Sequence, residues 1–267
     1  MFDKRVVLIT GSSRGIGAAT ARLFARHGAA VAVNYRTNAS AAQSVVADIT
    51  DAGGRAIAVQ ADVRVAAEVE AMVQTVGEQL GPIDTLVLNA NITVPIGPFV
   101  ETSWDEFSAK VVGELQAAFY CVQAVMPGML ARKQGCIIAV SSDVAQHPVA
   151  GTSAHSTAKS ALEALMRSLA LELGPDGIRV NTVAPGLTLT DAATRLPEQL
   201  KQTVASLAPL RRNARPDDIA GAIVMLAREE ANFVTGNYVV VDGGRQIGPV
   251  ALTMTHRPVS ASVQTQG

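Results

Sequence analysis

The chain has 267 residues, of which 48% are hydrophobic, enough for one large buried core and too few for two comfortable ones. Lys and Arg number 22 against 23 acidic residues, and neither sign is blocked together; this argues against nucleic acid or an anionic membrane as partner and favours a small neutral or locally anionic ligand. Cys121 and Cys136 are the only cysteines and form no CxxC spacing, so they read as buried thiols, with neither a disulfide framework nor a metal site expected.

The N-terminal MFDKR runs into VVLIT at 6–10 without the layout of a secretory signal, and no apolar run reaches the length of a membrane span. A soluble, cytoplasmic protein is the expectation. VVLIT opens a series of short β-branched runs: AVAVNY at 30–35, AIAVQ at 56–60, DTLVL at 84–88, CIIAV at 136–140, IRVNTVA at 178–184 and YVVV at 238–241. Segments of helical period separate them. Strand alternating with helix is the pattern of right-handed crossovers, and strands apolar on both faces require a parallel sheet covered on both sides.

Directly after the first strand comes TGSSRGIG at 10–17, with Gly11, Gly15 and Gly17, and then a helix. In that context the glycines let backbone N–H groups approach a pyrophosphate, which the positive end of the helix dipole stabilises. The expected architecture is therefore α/β: a single-domain Rossmann fold over 1–247 with a doubly wound seven-stranded parallel sheet flanked by helices, followed by a C-terminal tail at 248–267. The second strand ends in VNYRTNAS, without the carboxylate that would accept from an adenosine ribose. Arg36 and Arg14 instead offer guanidinium groups for a 2′-phosphate, which favours NADP(H) over NAD(H). Asp62 and Val63, past the third strand, are placed to meet the adenine; Asp62 is equally suited to capping the helix that begins near Val65.

Together with DV at 62–63, NA at 89–90, VSS at 140–142, STAKSAL at 156–162, VNTVAPG at 180–186 and VTGNYVVVDGG at 234–244, the glycine loop makes the chain resemble the short-chain dehydrogenase/reductase family from Lys4 to Gly244. The likeness is to the subgroup of 3-oxoacyl carrier-protein reductases, typically NADP(H)-dependent tetramers. It implies cofactor contacts from Gly11, Ser13, Arg14, Gly15, Ile16, Gly17, Arg36, Asp62, Val63, Asn89, Ala90, Lys159, Pro185, Gly186, Thr188 and Thr190. It also implies that Ser142 holds a substrate carbonyl, that Lys159 binds the nicotinamide ribose and lowers the pKa of a catalytic acid, and that this acid stands four residues before the lysine. The family's residue there is tyrosine; here it is His155. The family's asparagine in the helix before the fifth strand is also replaced. Counting back from Phe119 gives Glu114 and counting forward from Trp104 gives Val111; the undisturbed spacing from Phe119 to Gly135 favours Glu114. The family's NNAG reads Leu88, Asn89, Ala90, Asn91.

An imidazolium at His155 can supply the proton that a ketone reduction needs, but Lys159 one helical turn away disfavours it. Glu114 either stabilises the imidazolium or pairs with Lys159 and does nothing for the histidine. Three functions remain open: an NADP(H)-dependent oxidoreductase for a ketone or secondary alcohol with Ser142, His155 and Lys159; a non-redox dehydratase, isomerase or cyclase with His155 as general base; or a catalytically impaired nucleotide-binding subunit. By the resemblance, 187–212 is a substrate lid; its apolar Leu196, Leu200, Val204 and Leu207 are suited to covering a hydrophobic substrate, with closing over the body of the protein as the ordinary explanation. The helices around 104–132 and 152–173 are expected to build a homotetramer or homodimer, with Ala161, Leu162, Leu165 and Leu169 available for the contact.

Overall fold

A computed structural model describes residues 2–247, so the tail at 248–267 lies outside the described residues. In β1 (Val6–Ile9), Val6 and Leu8 pack into one core while Val7 and Ile9 pack into another, the period-two alternation of a strand buried on both faces. Parallel partners extend it in both directions: β2 (Ala30–Tyr35), β3 (Arg55–Gln60), β4 (Ile83–Leu88), β5 (Gly135–Val140), β6 (Ile178–Pro185) and β7 (Tyr238–Val241). The result is one seven-stranded sheet in the order β3-β2-β1-β4-β5-β6-β7, the doubly wound α/β arrangement read from the sequence.

One face is covered by α3 (Ala66–Gln79), α4 (Trp104–Arg132) and α5 (Ser153–Leu173), through residues such as Met72, Cys121, Met129 and Met166. The other is covered by α1 (Gly15–Arg26), α2 (Ala39–Asp51) and α7 (Pro216–Ala227), through Phe24, Val45 and Ile223 among others. Both cysteines are buried, and burial pushes the Cys121 thiol up to about 12 and the Cys136 thiol to about 11. No helix among the described residues is long and apolar enough to cross a membrane.

Strand order reverses between β1 and β4. In an open parallel sheet the carboxyl ends of the strands leave a crevice at such a point, and the loops after β1, β4 and β5 meet there. α4 is held by a capping box in which Ser103 and Glu106 each satisfy the other's backbone N–H, and it ends on Lys133 in the left-handed region. The helix runs unbroken from Trp104, so Glu114 falls on the face toward α5 while Val111 is only half-buried.

Two packing expectations are corrected. Leu162 is 2% exposed and belongs to the core with Met166, Ala170 and Leu173, since these positions share the helix face turned to the sheet; it is unavailable to a partner subunit. The apolar stripe of the expected lid closes over the body only in part: Leu196 and Val204 are half-buried, while α6 (Glu198–Leu207) has no fully buried residue and Leu200 and Leu207 stand 44% and 42% exposed.

Candidate active site

Gly11 turns the chain after β1 with φ of 60°, and a Cβ there would stand 2.8 Å from Ala90 Cα. A Cβ on Gly17 would stand 2.6 Å from Asn89 Nδ2. Hydrogen bonds fix this close approach: Asn89 Nδ2 donates to Thr10 O at 2.9 Å and Gly11 O at 3.0 Å, while Thr10 Oγ1 accepts from the N–H groups of Asn89 (2.9 Å) and Ala90 (3.0 Å). Buried Asn34 accepts from the Gly11 N–H at 3.0 Å and donates to Ala61 O at 3.1 Å, tying the glycine loop to β2 and β3. At the start of α1, Arg14 is extended, its side chain makes no cap hydrogen bond, and the first turn holds no acidic residue. The N–H groups and positive dipole end of this helix are therefore left for an anion. Thr190, with its Cγ2 3.3 Å from the place of a Gly15 Cβ, closes on the loop from the segment after β6. Half-buried Ser13 and exposed Arg14 lie on the loop, and Ile16 packs against the core beneath it. The cradle fits the pyrophosphate of a dinucleotide.

Arg36 is exposed, with Nη1 3.9 Å from Asp62 Oδ2. The Asp62 carboxylate is taken by Arg64, whose Nε donates to Oδ1 at 2.9 Å and whose Nη2 donates to Oδ2 at 2.6 Å; these bonds hold its carboxyl down at about 2. Asp62 does not cap α3, whose N-cap is Val65; the Asp62 N–H instead donates to Glu68 Oε2 at 2.7 Å. Val63 is buried beside it.

On the chemical side, Glu114 of α4 is buried and sits between two lysines. Its Oε1 accepts from Lys159 Nζ and its Oε2 from Lys110 Nζ, each at 2.5 Å. Lys159 also donates to Val140 O at 2.8 Å, leaving one N–H of its ammonium. Lys110 spends its remaining donors on Asn91 Oδ1 (2.8 Å) and Ile92 O (3.1 Å), and is fully enclosed. Burial works to raise the Glu114 carboxyl, but the two ammonium groups bring it down to about 2. Burial also pushes Lys110 down to about 8, against the pull of Glu114. His155, in the first turn of α5, is half-buried and its Nδ1 is buried with no hydrogen-bond partner among the described residues. Burial, then Lys159 and Lys110, push this imidazole down to about 3, with Glu114 opposing too weakly to matter. The ring is uncharged at neutral pH. Of the two roles open to Glu114, the structure shows the pairing with Lys159.

Ser142 begins the turn after β5. Its Oγ lies 3.4 Å from Asp143 Oδ1, to which it donates, and accepts from the Val144 N–H at 3.4 Å. Behind it, Ser141 Oγ donates to buried Glu163 Oε1 at 2.5 Å, and Asp143 pairs with Arg245. At the end of β6, the Gly186 N–H donates to Val241 O at 3.0 Å, and a Cβ on Gly186 would stand 2.8 Å from Asp242 Cβ. Pro185 is buried next to it, and the buried Thr188 donates to Gly186 O at 3.0 Å.

A family model described as enoyl-(acyl carrier protein) reductase matches residues 11–246. The chain belongs to the short-chain dehydrogenase/reductases. Its relatives include cis-4-hydroxycyclohexanecarboxylate dehydrogenase from Sinomonas cyclohexanicum, 38% identical over 91% of this chain and 97% of that protein. The 3-oxoacyl-[acyl-carrier-protein] reductase FabG of Staphylococcus aureus is 37% identical over 89% of this chain and 96% of its own length. For a short-chain dehydrogenase/reductase, the residues that sequence reasoning passed over are Lys110, Arg64 and Glu163, while Asn91 stood out only as a departure from the family's NNAG. Only Lys110 left a local signal: it stands four residues before Glu114 on a helix, the spacing that brings two side chains together.

Proposed function

We propose that this oxidoreductase uses NADP(H) to interconvert a secondary alcohol and a ketone. The observation that carries the reading is the His155 imidazole, whose buried Nδ1 has no hydrogen-bond partner among the described residues, on the same helix face as the clamped Lys159 ammonium. When bound, the nicotinamide supplies the hydride acceptor. An imidazole held at about 3 is uncharged at neutral pH but a weak base, so it takes the hydroxyl proton only in step with hydride loss. His155 would therefore remove the hydroxyl proton of the alcohol, Ser142 Oγ would hold the same oxygen, and the remaining N–H of Lys159 would hold the ribose of the nucleotide. His155 thus stands in the place of the family's tyrosine, with Ser142, Lys159 and Glu114 completing the site. Arg14 and Arg36 support the preference for a 2′-phosphate, and the dehydrogenase relative supports alcohol oxidation.

A cytoplasmic homotetramer or homodimer built on α4 and α5 belongs to the same reading. It is supported by the exposure of Trp104, Val112, Phe119 and Leu171 on those helices. The test is nucleotide absorbance in both directions with a panel of cyclic and acyclic secondary alcohols and their ketones, on the intact protein and on His155→Ala. NADP⁺-dependent oxidation that is lost in His155→Ala is expected. Turnover that proceeds without nucleotide would instead establish the non-redox proton-transfer reading, which the same uncharged imidazole serves.

A further inference from the structure

Two lysines on one carboxylate is an expensive arrangement in a protein interior, because each buried ion loses several kcal/mol of hydration. Lys159 alone would balance the charge of Glu114, though it reaches only Oε1. Lys110 nevertheless lies on the opposite oxygen, enclosed on all sides, with its three N–H groups all placed: Glu114 Oε2 at 2.5 Å, Asn91 Oδ1 at 2.8 Å and Ile92 O at 3.1 Å. Asn91 is exposed, on the loop that leaves β4 beside the glycine loop, so its amide links the ammonium to the surface of the crevice. The cluster of Lys110, Glu114 and Lys159 carries one net positive charge, and the charged groups that act on the His155 ring are these same three: Lys159 from its own helix, Lys110 and Glu114 from α4.

We propose that Lys110, seated by Asn91, is a positioning residue: it anchors the far oxygen of Glu114 so that the near oxygen clamps Lys159, and it adds its charge to the field at the His155 ring. The proposal rests on the reaction proposed above only where it speaks of turnover. Lys110 touches neither substrate nor nucleotide, and acts through Glu114. Its charge is labile near pH 8, so the clamp slackens as the pH rises through that value.

The experiment uses the intact protein with isotopically labelled lysine and histidine, following the Lys110 and Lys159 Cε resonances and the His155 ring by NMR against pH. NADP⁺ affinity and alcohol oxidation are recorded over the same range. Asn91 is exposed, which makes it the safe place to perturb. Asn91→Asp sets a carboxylate on Lys110 and raises its midpoint by about one unit or more, while Asn91→Ala removes an acceptor and lowers it. The Lys159 and His155 resonances are expected to shift in step with Lys110 in all three proteins, and the alkaline limb of turnover to move up in Asn91→Asp and down in Asn91→Ala. Lys110→Met is expected to behave at pH 7 as the wild type does above the Lys110 midpoint. A limb that stays in place in both Asn91 variants, or Lys159 and His155 resonances that ignore Lys110, would overturn the proposal. If no nucleotide binds and no alcohol is oxidised, the proposed reaction fails by itself and the resonances alone decide the role of Lys110.

Discussion

Replacing Glu114 by Gln removes the only anion between two enclosed ammonium groups while keeping the size of the side chain. The Lys110 side chain has 0% exposure and that of Lys159 5%, so water cannot take over the lost charge. Breaking a buried pair by deleting one partner costs about 3–5 kcal/mol, most of it the uncompensated charge left behind. For a chain of this size, about 2–4 °C of melting temperature per kcal/mol converts this into a fall of roughly 6–20 °C. The loss depends on pH with a definite sign. Lys110 has a folded pKa of about 8 against an ordinary 10.5, so between these values the unfolded chain binds more protons and stability rises with pH. Without Glu114 the folded value falls further, and the variant regains stability already between pH 7 and 9. Urea unfolding at pH 6, 7, 8 and 9, at one protein concentration, measures both effects. Lys110→Met combined with Glu114→Gln should be less destabilised than Glu114→Gln alone, because one stranded charge leaves with its partner. A cost below about 1 kcal/mol at pH 6, or a cost that does not change with pH, would refute the view that the cluster is ionised and dry.

Gly17→Ala would place a Cβ 2.6 Å from Asn89 Nδ2 and 2.8 Å from Gly11 O, and is expected to lower nucleotide affinity at least tenfold, read by fluorescence titration, with about 1–3 kcal/mol of stability lost. Ser141→Ala leaves one oxygen of buried Glu163 without its 2.5 Å donor and should cost about 1–3 kcal/mol in thermal or chemical unfolding, with nucleotide affinity unchanged. His155 has a folded pKa of about 3 against an ordinary 6.5, so the unfolded chain binds the extra proton between these values and stability declines as pH falls through that window. His155→Gln should flatten this acid slope in urea unfolding at pH 4 to 7; an unchanged slope would show that the ring is not kept uncharged.

The strands were legible because most are apolar on both faces, a pattern that β-branched runs such as VVLIT and CIIAV display without any knowledge of what covers them. The glycine loop was legible because it stands between a strand and a helix. Glu114 could be preferred over Val111 because helix spacing from Phe119 carries through unbroken. Asn91 and Arg64 were not legible in the same way: their partners, Lys110 and Asp62, become partners only through the path of a loop. An Asn nineteen positions before a Lys has no periodicity to betray it. The stripe on α6 shows the reverse error. Its leucines have helical spacing, but spacing states that a face exists and not what, if anything, lies against it.

The proposed reaction depends on where the cluster's charge sits. One net positive charge, enclosed beside His155, makes the imidazolium costly and the ring a weak base. The same charge favours an oxygen that is becoming negative. An alcohol losing its proton to the ring passes through an alkoxide-like state, which the field of Lys159 stabilises. Reduction of a ketone passes through the same state in reverse, so this support acts on both directions. Both effects come from a single arrangement of Lys110, Glu114 and Lys159, and in Lys110→Met the ring gains basicity while the alkoxide loses support. Hence, with pH near neutral and nucleotide saturating, oxidation and reduction should change together in Lys110→Met, read by nucleotide absorbance; a change confined to one direction would refute a shared alkoxide-like state.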